Sequence, residues 1–369
     1  MAERLALKEF RSRVVAGCFR DFSRLSDAFR NMKFVQADPI RSPARAQDLV
    51  LRQRVAGYIA GDLEKKFPSL ELEEGYLFAY GFMTPEVWRN LRFRPHSKLK
   101  KLERAVLEAV AEMGAVHPRG FSERFGRKSV TNHWGGKSQE ANRILNKLHH
   151  HGYLRVIRRE NGIRVYEVPQ DSRSTSADPF ERYCFLALTT AVVFGPTTKR
   201  FLVSELRSQN HVLPARGERL AAIESLIETG KLAEIVVAGV TYLWRRQDWL
   251  SAEVSERVRI LAPFDPLVRD RERFMQLWGW NYRFEAYVPK AKRERGYYAM
   301  PLLWRDKVVG WANAKVEDEL LKVELGYTGR RPTTKAFGSQ AEVETEALAR
   351  FLGLESGAWQ LTDCSLKSR

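Results

Sequence analysis

The sequence predicts an α+β protein in which tandem winged-helix modules precede a small antiparallel β-barrel. Three observations predict this fold class. Residues 101–168 show three helical patterns followed by a basic hairpin, and residues 179–245 repeat that order. From about residue 256, apolar and polar residues alternate instead. Because helices favour apolar residues three or four positions apart and strands favour alternation, we expect the helical modules to end near that point.

The pattern is clearest in residues 99–175, which we predict to be a winged helix-turn-helix module. LERAVLEAVAEM, RGFSERFG and KSQEANRILNKLHHHG predict three helices, the last ending at Gly152. YLRVIRRENGIRVYEV predicts a hairpin around Asn161-Gly162, a dipeptide preferred in two-residue turns. In such modules one helix enters the major groove and hairpin cations contact phosphate. We therefore predict DNA contacts at Lys137, Asn142, Arg143, Lys147, Arg158 and Arg159.

A comparison of spacings predicts two further copies of this module. The spacing Leu148–Gly152–Leu154 recurs as Leu226–Gly230–Leu232, where a helix again ends and a strand begins. Residues 176–255 are therefore predicted to form another winged helix, with helices near 180–193, 200–209 and 217–229. Residues 1–98 form a fainter copy, in which Phe34–Asp38 stands where the first strand of a wing would begin.

Residues 256–369 are predicted to form the β-barrel-like domain, with one closing helix near 340–352. Strands are predicted at RFEAYV (283–288), YYAMPLLW (297–304), KVVGWANAKV (307–316) and LLKVELGYT (320–328). Arg305-Asp306 and Glu317–Glu319 predict the turns between the last three. The loop PKAKRERG contains four cations that we predict to contact DNA opposite the wings: Lys290, Lys292, Arg293 and Arg295.

The charge balance favours a polyanionic partner. The 369 residues include 62 Lys and Arg against 45 Asp and Glu, which leaves a net charge of +17. Such an excess attracts nucleic acid through counterion release, although a basic enzyme with a solvated surface is an alternative. A hydrophobic content of 44% excludes global disorder. With no apolar run of membrane-spanning length and no signal-peptide pattern, we expect a protein of the cytoplasm.

Several kinds of chemistry have no signature in this sequence. There is no GxGxxG opening a helix, no phosphate-binding loop, no HExxH and no nucleophile elbow. Cys18, Cys184 and Cys364 are too far apart in sequence to suggest a zinc pair or a disulfide framework. His149, His150 and His151 are consecutive on a predicted helix, so their side chains diverge by about 100° and do not converge on one ion. We expect neither a metal nor a small-molecule cofactor.

The segment FVQADPIRSPARAQDL stands out locally. On a strand, Gln36 and Asp38 face the same side, and Pro39 ends the strand just beyond them. Ser42 is predicted to cap a helix that has Pro43 at its first position. Three local cations are predicted to contact DNA, namely Arg41, Arg45 and Arg52. The alternative is that Asp38 only turns the chain before Pro39.

FVQADPI, ILAPFDPLVRDR and RFEAYVPKAKRERGYYAMPLL together resemble the bacterial winged-helix interstrand-crosslink DNA glycosylases, the family of YcaQ-like and AlkZ-like proteins. The resemblance covers nearly the whole chain. It implies tandem winged helices around a C-terminal β-barrel, with a C-shaped basic channel for DNA. The family's catalytic motif is Gln-apolar-Asp or Gln-apolar-Gln, and Gln36-Ala37-Asp38 matches the aspartate-bearing branch. Ala37 is smaller than the usual branched residue, and Pro39 constrains the chain that follows.

The resemblance implies a monofunctional DNA N-glycosylase that removes N-alkylated purines from duplex DNA and unhooks interstrand crosslinks in base excision repair. Asp38 would stabilise the sugar cation and accept a proton from the attacking water, while Gln36 would hold that water or the sugar. We expect neighbouring arginines to keep Asp38 ionised. Asp265 is a second candidate carboxylate, for which we favour bonding of backbone amides beside Pro266. Glu285 and Tyr287 are expected on a strand.

Two alternatives belong to different functional classes. A winged-helix transcriptional regulator would bind one operator sequence and would need no Gln-x-Asp pair. A single-strand or RNA binder would use the aromatic residues of the C-terminal domain, Trp278, Trp280, Tyr282, Tyr297 and Tyr298, most of which we expect in the core. The partner expected here is duplex DNA, bound by a monomer away from membranes.

Overall fold

The computed structural model describes residues 3–91, 98–125, 129–131, 137–170, 178–245 and 254–364, and within residues 122–139 it describes the backbone alone. Helices and strands are mixed along the chain, as the predicted α+β class requires. Within these ranges, no helix has both the length and the apolar character needed to cross a membrane.

The N-terminal part combines short helices with a three-stranded sheet. Its elements are β1 (Glu3–Leu5), α1 (Leu7–Cys18), α2 (Leu25–Met32), β2 (Phe34–Gln36), α3 (Ala46–Leu51), α4 (Asp62–Lys66), β3 (Glu73–Tyr76), β4 (Tyr80–Met83) and α5 (Pro85–Leu91). Strand β4 lies between β2 and β3 and pairs antiparallel with both. The strand predicted from Phe34 is thereby confirmed, although it ends at Gln36, two residues before Asp38.

The predicted helix that starts at Pro43 with Ser42 as its cap is wrong. Helix α3 begins at Ala46, and its N-cap residue, Arg45, makes no capping hydrogen bond through its side chain. The preceding segment turns back instead, because the amide of Ser42 donates to the carbonyl of Ala44 at 3.3 Å. A tight loop therefore joins Asp38 to α3.

The next part has the order of elements predicted for residues 99–175. It contains α6 (Lys101–Met113), α7 (Pro118–Phe125), β5 (Ser129–Thr131), β6 (Lys137–Gln139), α8 (Glu140–His150), β7 (Arg155–Glu160) and β8 (Ile163–Glu167). Helix α8 begins at Glu140, because the three residues before it pair with β5 as a short strand. The hairpin turn at Asn161-Gly162 is confirmed, and both residues have positive φ, of 51° and 81°. Such a turn suits Asn and Gly, which tolerate left-handed backbone.

Residues 178–245 repeat three helices and a hairpin. They form α9 (Pro179–Phe194), α10 (Lys199–Glu205), α11 (Arg216–Glu228), β9 (Ala233–Val237) and β10 (Val240–Trp244), so the helices predicted here are confirmed. Strand β1 joins this hairpin as a third strand, parallel to β9. The beginning of the chain therefore packs against its third quarter, far away in sequence.

The C-terminal part is a five-stranded sheet with three helices. Its elements are β11 (Val258–Ile260), α12 (Pro266–Arg269), α13 (Arg271–Trp278), β12 (Met300–Trp304), β13 (Lys307–Glu317), β14 (Leu320–Tyr327), α14 (Lys335–Phe351) and β15 (Trp359–Asp363). Three of the four predicted strands and the closing helix are confirmed. In the described part of the chain β11 and β15 are the two outer strands and do not pair with each other, so a closed barrel is not confirmed.

The remaining predicted strand, at 283–288, is wrong. This segment is irregular, and the amide of Val288 donates to the carbonyl of Glu285 at 3.0 Å, which turns the chain. Ala286 and Val288 are buried without any ladder, which explains the alternating pattern. The alternating apolar residues are therefore buried without taking part in a sheet.

Strand β2 lies between two apolar cores. Val35 belongs to a core shared by the N-terminal helices, α8 and the C-terminal sheet. Its neighbour Phe34 points the other way, into a core formed with α9 and α11. Since successive side chains of a strand face opposite sides, one short strand is held by packing on both faces. The packing on both faces therefore fixes the position of β2, and with it the start of the segment that follows.

Candidate active site

Gln36 is the last residue of β2 and is opposite Gly81 of β4. The two strands approach so closely that a Cβ added to Gly81 would lie 2.3 Å from the carbonyl oxygen of Val35 and 2.5 Å from the ring of Phe34. A side chain at position 81 would displace β2. The close packing of β4 therefore determines where Gln36 sits.

Asp38 follows the strand and is half-buried. The amide of Ala37 still donates to the carbonyl of Tyr80 at 2.9 Å, which extends the pairing one residue beyond β2. The amide of Asp38 donates to Oε1 of Gln47 at 3.2 Å, and Gln47 is only 2% exposed. This buried amide on α3 holds the backbone of the candidate catalytic residue.

The two carboxylate oxygens of Asp38 differ in their partners. Oδ1 accepts from the amide of Ile40 at 2.9 Å, so the predicted turn before Pro39 also exists. Oδ2 has no hydrogen-bond partner within the part of the chain that the structure describes. One oxygen thus stabilises the loop while the other remains available to a substrate or to water.

The electrostatic setting of Asp38 differs from our expectation. Burial raises the pKa of its carboxyl group above the ordinary value of 3.8, and the hydrogen bond from Ile40 only partly offsets this. The prediction that neighbouring arginines keep Asp38 ionised is wrong, because arginine charge is not among the causes of this shift. Nearby cations pair elsewhere: Arg45 with Glu64 and Arg52 with Glu344.

Aromatic side chains from the C-terminal part lie beside Asp38. Burial raises the pKa of the Tyr298 hydroxyl, slight desolvation raises that of Tyr287, and the negative charge of Asp38 raises both further. The ring of Phe284 contacts both tyrosines, at centroid distances of 6.0 and 5.3 Å. Tyr298 is buried, whereas Tyr287 is 79% exposed. An apolar wall with one projecting aromatic ring thus borders the carboxylate.

Gln36 is held from the same C-terminal part. Nη1 of Arg269 donates to Oε1 of Gln36 at 2.8 Å. The same guanidinium donates through Nε to Glu205 of α10 at 2.9 Å and lies 5.0 Å from the centre of the Phe78 ring. Sequence reasoning missed Arg269 and Gln47. Arg269 could have been found because it belongs to the PFDPLVRD segment. No feature of the sequence pointed to Gln47.

Two of the cations predicted to contact DNA lie in ion pairs with buried carboxylates. The Arg52 side chain is 4% exposed and forms an ion pair with Glu344. Arg159 donates to both oxygens of the fully buried Glu74, at 2.8 and 2.6 Å. Because these guanidinium groups neutralise buried carboxylates, contacts of Arg52 and Arg159 with DNA would require these ion pairs to break.

The remaining predicted contacts differ in exposure. Arg41, Arg143, Lys290 and Lys292 are exposed. Arg158 pairs with Glu160, Lys147 with Glu103, and Asn142 bonds Asn146, so their polar groups are already engaged. The side chain of Lys137 lies outside the described residues. Arg45 is largely buried beside Glu64.

The basic loop PKAKRERG, which follows the aromatic residues beside Asp38, is held by hydrogen bonds to a buried carboxylate. The buried carboxylate of Glu285 accepts hydrogen bonds from the amides of Glu294, Arg295 and Gly296, at distances between 2.9 and 3.1 Å. Glu285 therefore organises the loop, instead of occupying the expected strand. Arg293 lies 5.0 Å from the ring centre of Tyr297, and Arg295 pairs with Glu294. Lys290 and Lys292 are left as its exposed cations.

Asp265 has the structural role that we favoured. Its Oδ1 accepts from the amide of Leu267 at 3.0 Å and caps α12. Both oxygens also accept from the guanidinium of Arg54, at 2.7 and 3.0 Å. The carboxylate is completely buried and is therefore not a second catalytic group.

Burial also limits His149 and most of the aromatic candidates as binding groups. Trp280, Tyr282 and Tyr298 are buried, as expected for core residues, whereas Tyr297 is exposed. His149 is buried and its Nδ1 lies 3.0 Å from the carbonyl of Leu154. Among the described residues, no group of three or more His, Cys, Asp or Glu side chains is arranged to hold a metal ion.

Two comparisons with known proteins match this chain. A family model described as DNA glycosylase AlkZ-like matches residues 29–351. Among solved structures, the chain is similar to the Streptomyces sahachiroi DNA glycosylase AlkZ, with a TM-score of 0.64 and 15% sequence identity. The match covers 97% of this chain and 100% of that one. At this identity the structural likeness concerns the fold.

Proposed function

This chain belongs to the AlkZ-like DNA glycosylase family, and from that premise we propose that it hydrolyses the N-glycosidic bond of N-alkylated purines in duplex DNA. We propose the same reaction for two kinds of lesion, namely single alkylated bases and interstrand crosslinks. The observation that carries the proposal is the half-buried Asp38 carboxylate, whose Oδ2 has no partner among the described residues and which borders an apolar aromatic wall. We propose that the fold consists of three winged-helix modules and a C-terminal barrel-like domain.

Hydrolysis of this N-glycosidic bond needs little help from a general acid. Alkylation at N7 makes guanine cationic, so the bond from the sugar C1′ to N9 breaks with its electron pair passing to the base, which leaves neutral. The sugar then has oxocarbenium character, which a nearby carboxylate stabilises. Water attacks C1′, and its proton passes to Asp38. This division of roles needs one carboxylate, in keeping with the buried structural position of Asp265.

The raised pKa of Asp38 suits the role of base. A carboxyl group whose pKa lies closer to the working pH accepts a proton more readily than an ordinary aspartate, provided that it is still ionised. Burial is the first cause of the shift, so this carboxylate has less contact with bulk water than a surface aspartate. Tyr287, the exposed ring beside this carboxylate, offers a stacking surface for a base disturbed from the helix.

The pH dependence of base release tests this role. Because only ionised Asp38 can act, single-turnover release is expected to fall with decreasing pH through a pKa above the ordinary 3.8, and to level off at higher pH. Release is measured by abasic-site cleavage of N7-methylguanine duplex, with spontaneous depurination subtracted at each pH. A wild-type profile that stays flat down to the pH at which the protein unfolds would contradict a titrating carboxylate.

Salt dependence tests the proposed DNA surface. Replacing both Lys290 and Lys292 with glutamine is expected to weaken duplex binding and lower the slope of log affinity against log salt by about 0.9 for each lost phosphate contact. The matched control is the pair Lys315 and Lys322, whose replacement removes the same charge but which already bond Glu317 at 2.7 and 2.9 Å. Equal losses in both double variants would indicate general attraction and no specific contact from the loop.

The deciding experiment is base release from duplexes that contain N7-methylguanine or a nitrogen-mustard crosslink. We expect abasic sites from the first and unhooked strands from the second, at rates independent of flanking sequence. Tight binding to one undamaged sequence, without release of any base, would instead identify a transcriptional regulator. Release of single bases without unhooking would restrict the proposal to simple adducts.

A further inference from the structure

We infer that Arg269 is a positioning residue, which turns the amide of Gln36 so that its NH₂ group, and not its oxygen, faces the reacting water. The inference rests on the function proposed above and deepens it. It assigns to Gln36 one of the two hydrogen-bonding roles that an amide can play. It also extends the catalytic machinery to a residue 233 positions away in the sequence.

The orientation follows from the chemistry of the contact. A guanidinium group has only donors, whereas an amide side chain has one accepting oxygen and one donating nitrogen. Since Nη1 of Arg269 lies 2.8 Å from the Gln36 amide, the oxygen must face it, because the flipped amide would set two donors against each other. The contact is charge-assisted, which makes it stronger than a neutral hydrogen bond.

The guanidinium itself has little freedom. Two of its nitrogens, Nε and Nη2, donate to the same oxygen of Glu205, at 2.9 and 2.8 Å. Its plane lies near the ring of Phe78, with 5.0 Å between the guanidinium carbon and the ring centre. The third nitrogen, Nη1, is thereby aimed at Gln36. An arginine held at three points is a fixed donor, unlike a flexible surface cation.

The short helix α12, which carries Arg269, is also anchored. Asp265 caps its first turn and is clamped by the buried Arg54. From the next helix, the buried guanidinium of Arg273 donates to the carbonyls of Pro266 and Leu267, at 2.8 and 3.3 Å. Arg269 is therefore placed before any DNA arrives, as preorganised catalysis requires.

The consequence concerns what Gln36 can do. Its Oε1 faces Arg269 and accepts from Nη1, and its Nε2 hydrogens have no acceptor within the described part of the chain. They are free to donate to the oxygen of the attacking water, whose proton then passes to Asp38. A donor at this point fixes the position of the water, and a misplacement of about 1 Å costs about 10²-fold in rate.

The test measures single-turnover base release and duplex affinity for Arg269→Ala, Gln36→Ala and the double variant. Arg269→Ala is expected to slow release by about 10²-fold with little change in affinity. The double variant should be no slower than the slower single variant, because both changes remove the same positioned donor. Arg269→Lys, which keeps the charge but cannot reach Gln36 and Glu205 together, should recover only part of the rate.

Gln36→Glu separates the two possible roles of the amide. Glutamate has nearly the same shape and still accepts from Arg269, but it has no N–H to offer. We expect the variant to be as slow as Gln36→Ala while its thermal unfolding temperature stays at or above that of the wild type. Wild-type release in Gln36→Glu would overturn the assigned orientation.

The matched control is Glu272→Gln. Glu272 of α13 pairs with Arg200 of α10 at 3.2 Å, so it links the same two parts of the chain as Arg269 and Glu205 without touching Gln36. It should release base at the wild-type rate. Full release by Arg269→Ala, or a loss equal to that of the control, would overturn the inference while the glycosylase proposal stands. A wild-type protein that releases no base would overturn both.

Discussion

Replacement of Asp38 by asparagine is expected to slow release of N7-methylguanine by about 10²–10⁴-fold, the range typical for loss of a general base. Asparagine can still accept the hydrogen bond from Ile40 that shapes the loop. It cannot accept a proton from water or offset the charge of the sugar cation. Duplex affinity should therefore change little, since neither phosphate contacts nor the backbone are altered.

The thermal stability of Asp38→Asn provides an independent test of the role of Asp38. Folding raises the pKa of Asp38, so the folded state disfavours its charge, and ionised Asp38 lowers stability at every pH above its ordinary pKa. Removing that charge is therefore expected to leave the thermal unfolding temperature at neutral pH unchanged or higher. A slow variant that is at least as stable as the wild type identifies a residue retained for chemistry and not for folding.

The measurement is single-turnover release in parallel with a binding titration on the same duplex. Asp363→Asn, which changes an exposed aspartate on β15 that pairs with Arg331, is the control and should match the wild type. Undiminished release by Asp38→Asn would remove Asp38 from the mechanism. Loss of release together with loss of folding would make its role structural.

The second large effect is on stability. Asp265→Asn is expected to lower the free energy of unfolding by about 3–5 kcal/mol, because it leaves the guanidinium of Arg54 buried without its counter-ion. The Arg54 side chain is only 2% exposed and donates to both oxygens of Asp265. The same change weakens the clamp on α12, which carries Arg269.

Urea unfolding, followed by tryptophan fluorescence, measures this loss as a shift of the midpoint. The control is Asp21→Asn, which breaks the exposed pair between Asp21 and Arg257 and should cost less than about 1 kcal/mol. Replacing both Arg54 and Asp265, with methionine and asparagine, should cost less than the sum of the single changes, since no charge is then stranded. An Asp265→Asn protein with normal stability and no base release would show that we misassigned this carboxylate.

Local sequence patterns predicted most of the helices and hairpins. The Asn161-Gly162 turn is one example, because a turn with positive φ at two successive residues favours Asn followed by Gly. The strand at Phe34 and the three helices of residues 178–245 are others. Two predictions from local patterns failed: residues 283–288 alternate without forming a strand, and Pro43 precedes a helix without starting it.

The fate of the cations could not be predicted in the same way. Arg52 and Lys290 look alike in sequence, yet one pairs with Glu344 in the interior and the other is exposed. Their difference depends on which carboxylate the folded chain brings near, 292 residues away for Arg52. Composition predicted the excess of positive charge and therefore the class of partner, but not which residues meet it.

By itself, the sequence determined the α+β class, the order of most elements and the Gln36-Ala37-Asp38 segment, since these depend on backbone preferences and side-chain periods over a few residues. Tertiary structure alone decided that burial, without an offsetting arginine charge, raises the pKa of Asp38 and that Arg269 orients Gln36. The physical reason is range. Helices and turns form from neighbours in the chain, whereas desolvation and hydrogen bonding at a site depend on atoms that only the complete fold brings together.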